Sequence, residues 1–368
     1  MTLPSNSTYD EATVLNPSSA VTDFSLIVDL SRMSAAWWSA AEDTNKRRMR
    51  FAKDDGTELP FDAMEYDHAL QTGWVRVKWT GSLAASGTQK LRVYPPVSTN
   101  GIYVDTDTYG KDNAYDSDWV AYWPLSSDDQ DRTGNGLDLT ASGTSPLSYG
   151  GAIGKLGNAT LFDGVDQMAQ CGSSESSALF DSGEMSVVAW ASGDTDTWRG
   201  VMSRALDSNI GIEFDLRQRG VSDDISFITE STTEIRGGSI DGAFHMYFAS
   251  ADASGSVLLD NNVSIGTGTG TFTANTSNSA IRLGKGAATT TGYWDGTIEH
   301  AQVHKTVRDS SWATQEYDQT NDQAAFWGTW TNVPASASSE AMPCGIVRSK
   351  QVSGSRMKSE CLQNSFVR

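Results

Sequence analysis

The chain reads as all-β, with an N-terminal antiparallel β unit followed by a larger sandwich or barrel. Three observations predict this. Short apolar runs recur along the chain with turn signals between them and without helical spacers. Polar and apolar residues alternate within several runs, as in WVRVKW (74–79), where Arg76 and Lys78 interleave with Trp74, Val75, Val77 and Trp79. The 34 glycines against 9 prolines in 368 residues suit a protein full of tight turns.

In chain order, VTDFSLIVDL (21–30) predicts a buried strand, and AAWWSAAE (35–42) is the only early segment that fits a helix. KRRMRF (46–51), WVRVKW and KLRVY (90–94) alternate, with DDGTELP (54–60) as a turn signal among them. Residues 98–118 are polar, rich in Asp and Gly, and read as a linker. WVAYWPL (119–125) opens a second series of strands: ATLFDG (159–164), MSVVAWA (185–191), GIEFDLRQ (211–218), ISFIT (225–229), FHMYFAS (244–250), SVLLDN (256–261), AIRLGK (280–285) and GTIEHAQVHK (296–305). RDSSWATQEYDQT (308–320) predicts one short helix, and the chain from 328 on is small and polar. GTGTGTF (266–272) alternates Gly with Thr; no helix and no Lys follow it, so it reads as an edge strand or hairpin and not as a phosphate cradle.

Charge narrows the function classes. A net charge of −19 opposes a nucleic-acid groove, because phosphates are repelled. It favours solubility, a saline or extracellular setting, or divalent cations as partners. The charge is uneven: residues 345–368 carry Arg348, Lys350, Arg356, Lys358 and Arg368 against Glu360 alone. This end reads either as a docking arm or as a solvated tail. Cys171, Cys344 and Cys361 are too few for a disulfide framework, although Cys344 and Cys361 are able to pair with each other. The start, MTLPSNSTYD, lacks the basic-then-apolar run of a signal peptide. No apolar stretch approaches membrane-spanning length, so no membrane insertion is expected.

Two stretches resemble known families. WVAYWPLSSDDQDRTGNGLDLTA (119–141), LFDGVDQM (161–168), MSVVAWA, DGAFHMYFAS (241–250), VLLDNNVSIGTG (257–268) and AIRLGKG with GYWDGTIEHAQVHKTVRD (280–309) follow in order the strands of the laminin-G-like branch of the concanavalin-A-like lectin/glucanase superfamily. Phe244 stands where that family usually has Trp. Residues 20–95, through DFSLIVDL, MRFAKDDGTELPFDAMEYD, GWVRVKW and LRVY, resemble a domain of unknown function that often precedes such jelly rolls. The resemblance implies an all-β chain with a small antiparallel β domain over 21–100 and a concanavalin-A-like jelly-roll sandwich over 119–322. It leaves both ends unexplained, and composition divides the rest into an arm over 1–20, a linker over 101–118 and a polar, basic tail over 323–368. It implies binding of glycans or proteins, often with Ca²⁺.

Catalysis is tested by the residues. Glu213 and Asp215 stand two apart on one strand, as in the Glu-x-Asp-x-x-Glu strand of retaining glucanases, where two carboxylates flank the bond. The third position is Gln218, which cannot cycle a proton, so the expectation is no enzyme. The four histidines, His68, His245, His300 and His304, accompany no G-x-S-x-G elbow. His300 and His304, with Glu299, read as a solvated strand face or, less simply, a metal pair. For calcium, DQDRTGNG supplies Asp129, Asp131 and Asn135 on a glycine-bent loop, and Asp163 and Asp295 open the turns FDG and WDG; the plain alternative is that Asp-Gly is only a turn. For sugars, Trp198, Tyr293 and Trp294 fall in or beside loops, where a ring can stack on a pyranose, whereas Trp123 and Trp190 read as core.

The expectation is a non-enzymatic protein of a virion, a decoration protein or an appendage. Its lectin-like sandwich would present to surface glycans or to proteins, and its termini would hold other virion proteins or further copies of itself. A secreted or cell-surface adhesin is the alternative.

Overall fold

The computed structural model describes residues 3, 7–15, 20–42, 44–85, 87–172, 182–194, 198–205, 212–220, 223–230, 234–272, 279–287 and 292–335. The basic end, with Cys344 and Cys361, lies outside them. The all-β class holds: an N-terminal antiparallel unit precedes a jelly-roll sandwich.

The first unit contains β1 (Tyr9–Thr13), β2 (Val21–Asp29), α1 (Ala35–Ala40), β3 (Arg50–Lys53), β4 (Glu58–Leu59), β5 (Phe61–Asp67), β6 (Thr72–Leu83) and β7 (Lys90–Tyr94). The sandwich begins with β8 (Trp119–Trp123), β9 (Thr140–Ser142), β10 (Ser148–Ile153), β11 (Asn158–Asp163), β12 (Met168–Gln170), β13 (Met185–Gly193), β14 (Arg199–Ala205) and β15 (Ile212–Arg219). It continues through β16 (Asp224–Thr229), β17 (Glu234–Gly237), β18 (His245–Ala251), β19 (Ser256–Asp260), β20 (Val263–Gly268), β21 (Ile281–Leu283) and β22 (Asp295–His304). Two helices, α2 (Ser310–Asn321) and α3 (Gln323–Phe326), and a last strand, β23 (Thr331–Val333), complete the described chain.

In the small unit, β2-β6-β5 forms one sheet and β23-β1-β7-β3-β4 the other. The alternation of WVRVKW is realised in register: Leu26 faces Val77 and Val28 faces Val75 across β2 and β6. Ser34 caps α1 by accepting from the Trp37 N–H, and the Trp37 indole donates to the Val93 carbonyl at 2.9 Å.

Two segments depart from the sequence reading. Residues 9–13, read as part of an arm, form a strand between β7 and β23. Residues 323–335, read as tail, supply α3 and β23, with Phe326 and Trp327 buried. Strands of five and three residues carry too little periodicity to show in a sequence window, and they pair with each other across more than three hundred residues. The stretch read as a linker also buries Tyr103, Ala114 and Tyr115.

The sandwich packs the sheet β10-β11-β22-β13-β18-β19-β20, with β8 also on β22, against β17-β16-β15-β14-β21-β12-β9. Side-chain alternation divides the first sheet between two cores. Val187, Ala189 and Ala191 point into the sandwich, while Val188 and Trp190 join the core of the small unit. Tyr247 and Ala249 likewise oppose Met246 and Phe248. A strand covered on both faces reads as an unbroken apolar run, and this is why MSVVAWA does not alternate.

α2 covers that outer face. Asp309 caps it by accepting from the Trp312 N–H at 2.8 Å. Its Glu316 meets Arg76 of β6 at 2.6 Å, and neither side chain is exposed. Gln302 of β22 and Gln319 of α2 donate to the same carboxylate at 2.6 and 2.7 Å, and Gln319 also accepts from the Ile27 N–H and donates to the Ser25 carbonyl. The guanidinium lies over the Tyr122 ring, 4.5 Å from its centroid. Burial alone would lower the Arg76 pKa; Glu316 reverses that and holds the charge.

Removing one partner leaves a buried charge. Arg76→Ala or Glu316→Ala should each lower the free energy of unfolding by about 3–5 kcal/mol, while the joint replacement Arg76→Met with Glu316→Leu should recover most of it. Urea unfolding followed by circular dichroism reads both; a joint variant as weak as the single ones would refute the account.

Candidate functional site

The outer face of the β14–β17 sheet carries an exposed aromatic among charges. Phe214 and Leu216 of β15 point into the sandwich core, so Arg217 and Arg219 point outward. Trp198, immediately before β14 and 42% exposed, lies under both: the guanidinium carbons sit 4.9 and 5.1 Å from its ring centroid. Glu234 of β17 fixes the cations, contacting Arg219 and lying 3.8 Å from Arg217. Gly220 (φ +56°) ends β15 beside the indole, where a side chain would meet the ring edge at 3.4 Å. The Gly200 N–H donates to the Gly292 carbonyl, which brings the segment of Tyr293 alongside that of Trp198. Tyr293 is half-buried, with the Lys285 ammonium 5.0 Å from its ring centroid.

Trp294, expected as a third sugar-stacking ring, is instead fully buried. It fills the space left by Gly193 of β13, where a Cβ would come within 2.5 Å of the indole. Its place next to an Asp-Gly turn gives no sign of this, because the vacancy belongs to a residue a hundred positions earlier. Trp123 and Trp190 are core, as expected. Arg217, Arg219 and Glu234 were not singled out from sequence, although the alternation in DLRQR places both arginines on one face.

The carboxylates of β15 do not present a catalytic pair. Glu213 and Asp215 are fully buried; Glu213 contacts Arg204, and Asp215 accepts from Arg217 at 3.1 Å and from the Ala287 N–H at 3.2 Å. Gln218 falls on the opposite face, with Phe214 and Leu216. Burial pushes the Asp215 pKa up to about 6, against the pull of Arg217.

The residues expected to hold calcium fall into two groups. Asp131 accepts from the N–H groups of Tyr122, Thr133 and Leu137 and from the Thr133 hydroxyl, and so ties its loop to β8. Asn135 donates to the Trp119 and Val120 carbonyls in the same loop, and Asp129 accepts from Gln130. Asp163 and Asp295 face each other across β11 and β22; Asp163 accepts from three N–H groups, and Asp295 pairs with Arg199 at 2.8 Å. Asp131 and Asp163 are thus occupied by N–H donors and Asp295 by a guanidinium, whereas the Asp129 carboxylate accepts, among the described residues, only from the Gln130 amide. No group of three or more His, Cys, Asp or Glu side chains suited to a metal occurs among the described residues. Asp295 also borders an open cleft of about 390 Å³ with Asp194 and Asp241.

The histidines have separate partners. His68 lies against Trp38 and Tyr66, and His245 is held between Asp260 at 2.6 Å and Asp241 at 3.2 Å. His300 and His304, expected on one solvated face, are buried: His300 contacts the Tyr122 hydroxyl and His304 packs between Trp119 and Trp312. Glu299 accepts from the Lys155 and Leu156 N–H groups.

No family model matches the chain, and no curated protein matches its sequence. Among solved structures it is similar to domain 4 of AbnA, a GH43 extracellular arabinanase from Geobacillus stearothermophilus, in complex with arabinotriose, at 19% identity over 54% of this chain and 97% of that one, with a TM-score of 0.45. It is also similar to the heptameric SAP-like pentraxin of Limulus polyphemus, at 13% identity over 37% and 70% of the two chains and a TM-score of 0.33. The binding domain of botulinum neurotoxin serotype C1 aligns at 9% identity over 55% and 52%, with a TM-score of 0.42. The functional reading below rests on the geometry of this chain.

Two predictions follow from the buried carboxylates. Asp131→Ala leaves several loop N–H groups without an acceptor and should cost about 2–3 kcal/mol; the loss in melting temperature should be the same in Ca²⁺ and in EDTA. Burial raises Glu299 to about 7 and Asp215 to about 6, above their ordinary values of 4.5 and 3.8. The fold therefore holds these protons more tightly than the unfolded chain does. The stability they contribute is complete below the ordinary values and is lost as pH rises through about 6 and about 7. Burial depresses His300 and His304, which act oppositely and weaken the fold as pH falls below 6.5. The measurement is thus a difference: relative to the natural chain, Glu299→Gln should gain about 3 kcal/mol between about pH 5 and about pH 8. A flat difference would show that Glu299 does not titrate as described.

Proposed function

We propose that the chain is a non-enzymatic binding module whose sandwich recognises glycans through the exposed face around Trp198. The observation behind this is the 42% exposed Trp198 indole, packed under two guanidinium groups that Glu234 holds in place at the surface of the β14–β17 sheet. A ring fixed by cations loses little freedom on binding, so it offers a rigid apolar platform. The neighbouring arginines and Glu234 offer the hydrogen bonds that orient sugar hydroxyls. The burial of Glu213 and Asp215, each against an arginine, supports binding without hydrolysis.

The proposed setting is a virion appendage or decoration protein, with a cell-surface adhesin as the alternative setting. Support comes from the chain ends: β1 and β23 are paired, and the Ala335 N–H donates to the Thr8 hydroxyl. Both ends of the described chain therefore leave the small unit side by side, which suits a joint anchor. Other virion proteins, or further copies of this chain, would be the partners held there.

A glycan array probed with the purified chain, followed by titration of the best ligand, tests the reading. Trp198→Ala should weaken that ligand about tenfold or more, as loss of a stacking ring does, with an unchanged melting temperature. Equal affinity in Trp198→Ala would remove this face from consideration.

A further inference from the structure

A second recess lies where the small unit, the connecting segment and the sandwich meet. It is a cavity of about 270 Å³. The short helical turn Lys46–Arg48 supplies Lys46 and Arg47, β5 supplies Phe61 and Asp62, the connecting segment supplies Tyr103, Asp105 and Lys111, and the loop after β8 supplies Gln130 and Arg132. Its lining has four cationic side chains against two carboxylates; Asp112 beside it pairs with Lys111 at 3.6 Å, which leaves a net charge of +1 on a chain of net charge −19.

The charges are not all neutralised in place. Asp62 is consumed: Arg132 grips it through Nε at 2.9 Å and Nη2 at 2.6 Å, and the Tyr115 hydroxyl donates to it at 2.8 Å. Asp105 pairs with Arg47 at 2.8 Å. The Lys46 ammonium donates to the Met64 carbonyl at 2.9 Å and makes no ion pair among the described residues. Two of its three N–H groups are therefore left over, and Nη1 of Arg132 has no hydrogen-bond partner among the described residues. Burial lowers the Lys46 pKa and Arg132 lowers it further, while Asp62 and Asp128 act against them. An anion in the recess would offset the repulsion between Lys46 and Arg132.

We infer that this recess binds a small carboxylate-bearing sugar, a hexuronic acid or a residue of one at a chain end. The carboxylate would lie between the Lys46 ammonium and the free edge of Arg132, where charge-assisted hydrogen bonds are strongest. The ring would rest against Phe61 and Tyr103, and the exposed Gln130 amide would meet a hydroxyl. The volume of about 270 Å³ lies just below that of pockets for drug-sized ligands, which suits one sugar ring and not an oligosaccharide. This site is separate from the Trp198 face and stands or falls without it.

The test is a titration of the full chain with sodium glucuronate, glucose, acetate and inorganic phosphate, by calorimetry and by NMR. Expected are saturable binding of glucuronate in the millimolar range, no saturation with glucose, and weaker binding of acetate and phosphate. Lys46→Gln should weaken glucuronate about tenfold, the loss expected for one charged hydrogen bond. Lys46→Arg should keep the affinity, and Trp198→Ala should leave it unchanged. In the natural chain, glucuronate should shift the resonances of Tyr103 and Gln130, a readout independent of any variant. Equal binding of glucose, equal affinity in Lys46→Gln, phosphate binding as tight as glucuronate, or shifts confined to other residues would each overturn the inference.

Discussion

The arrangement of the whole molecule depends on one buried ion pair. Arg76 and Glu316 stand 240 residues apart, and their contact joins a strand of the small unit to the helix that follows the last sandwich strand. An apolar seam tolerates sliding, because dispersion and burial have little direction. A charge pair closed off from water does not, since displacement strands each ion in a medium of low polarity. Gln302 and Gln319 narrow the choice further by using up the carboxylate's remaining lone pairs. Arg132 gripping Asp62 makes a second such tie. Together they make the small unit and the sandwich a single packed body, in which Trp119, Trp190, Trp312 and Trp327 share one core.

Much of this was legible in the sequence, and the boundary has physical causes. KLRVY and MSVVAWA announced themselves because each is long enough to show either alternation or burial on both faces. YDEAT and TNV did not, because a strand made mainly of polar residues is recognisable only through its partner. Trp198 was legible as a loop aromatic, while Trp294, in an equally loop-like setting, was not legible as core. What decides between them is whether another strand offers a vacancy, here Gly193, and a one-dimensional reading does not contain that. Asp131 is a related case: its carboxylate accepts from the Tyr122, Thr133 and Leu137 N–H groups, a structural role that an acidic, glycine-bent loop does not announce in sequence.

The distribution of aromatic residues follows from the same economy of space. Nine of the twelve tryptophans are buried, so most of the indole in the molecule serves packing. Against that background an indole left at the surface and pinned by two arginines is an exception, and the exception is what singles out its sheet face. The recess around Lys46 is exceptional in the other coordinate, charge. One feature is set by the outward alternation of β15, and the other by the convergence of three chain segments.

The pairing of β1 with β23 makes the order of synthesis matter. A strand near residue 10 has half its ladder supplied by residues beyond 330, so the five-stranded sheet stays unfinished until nearly all of the described chain has left the ribosome. Until then the β1 edge is an open row of hydrogen-bonding groups, able to recruit a neighbouring nascent chain. Contacts of such long sequence separation also slow folding, because most of the chain must be ordered before the loop between them closes. The sandwich waits in the same way for β22, which pairs with β8, β11 and β13 from the beginning of its own sequence, so both halves of the molecule are closed by strands made late.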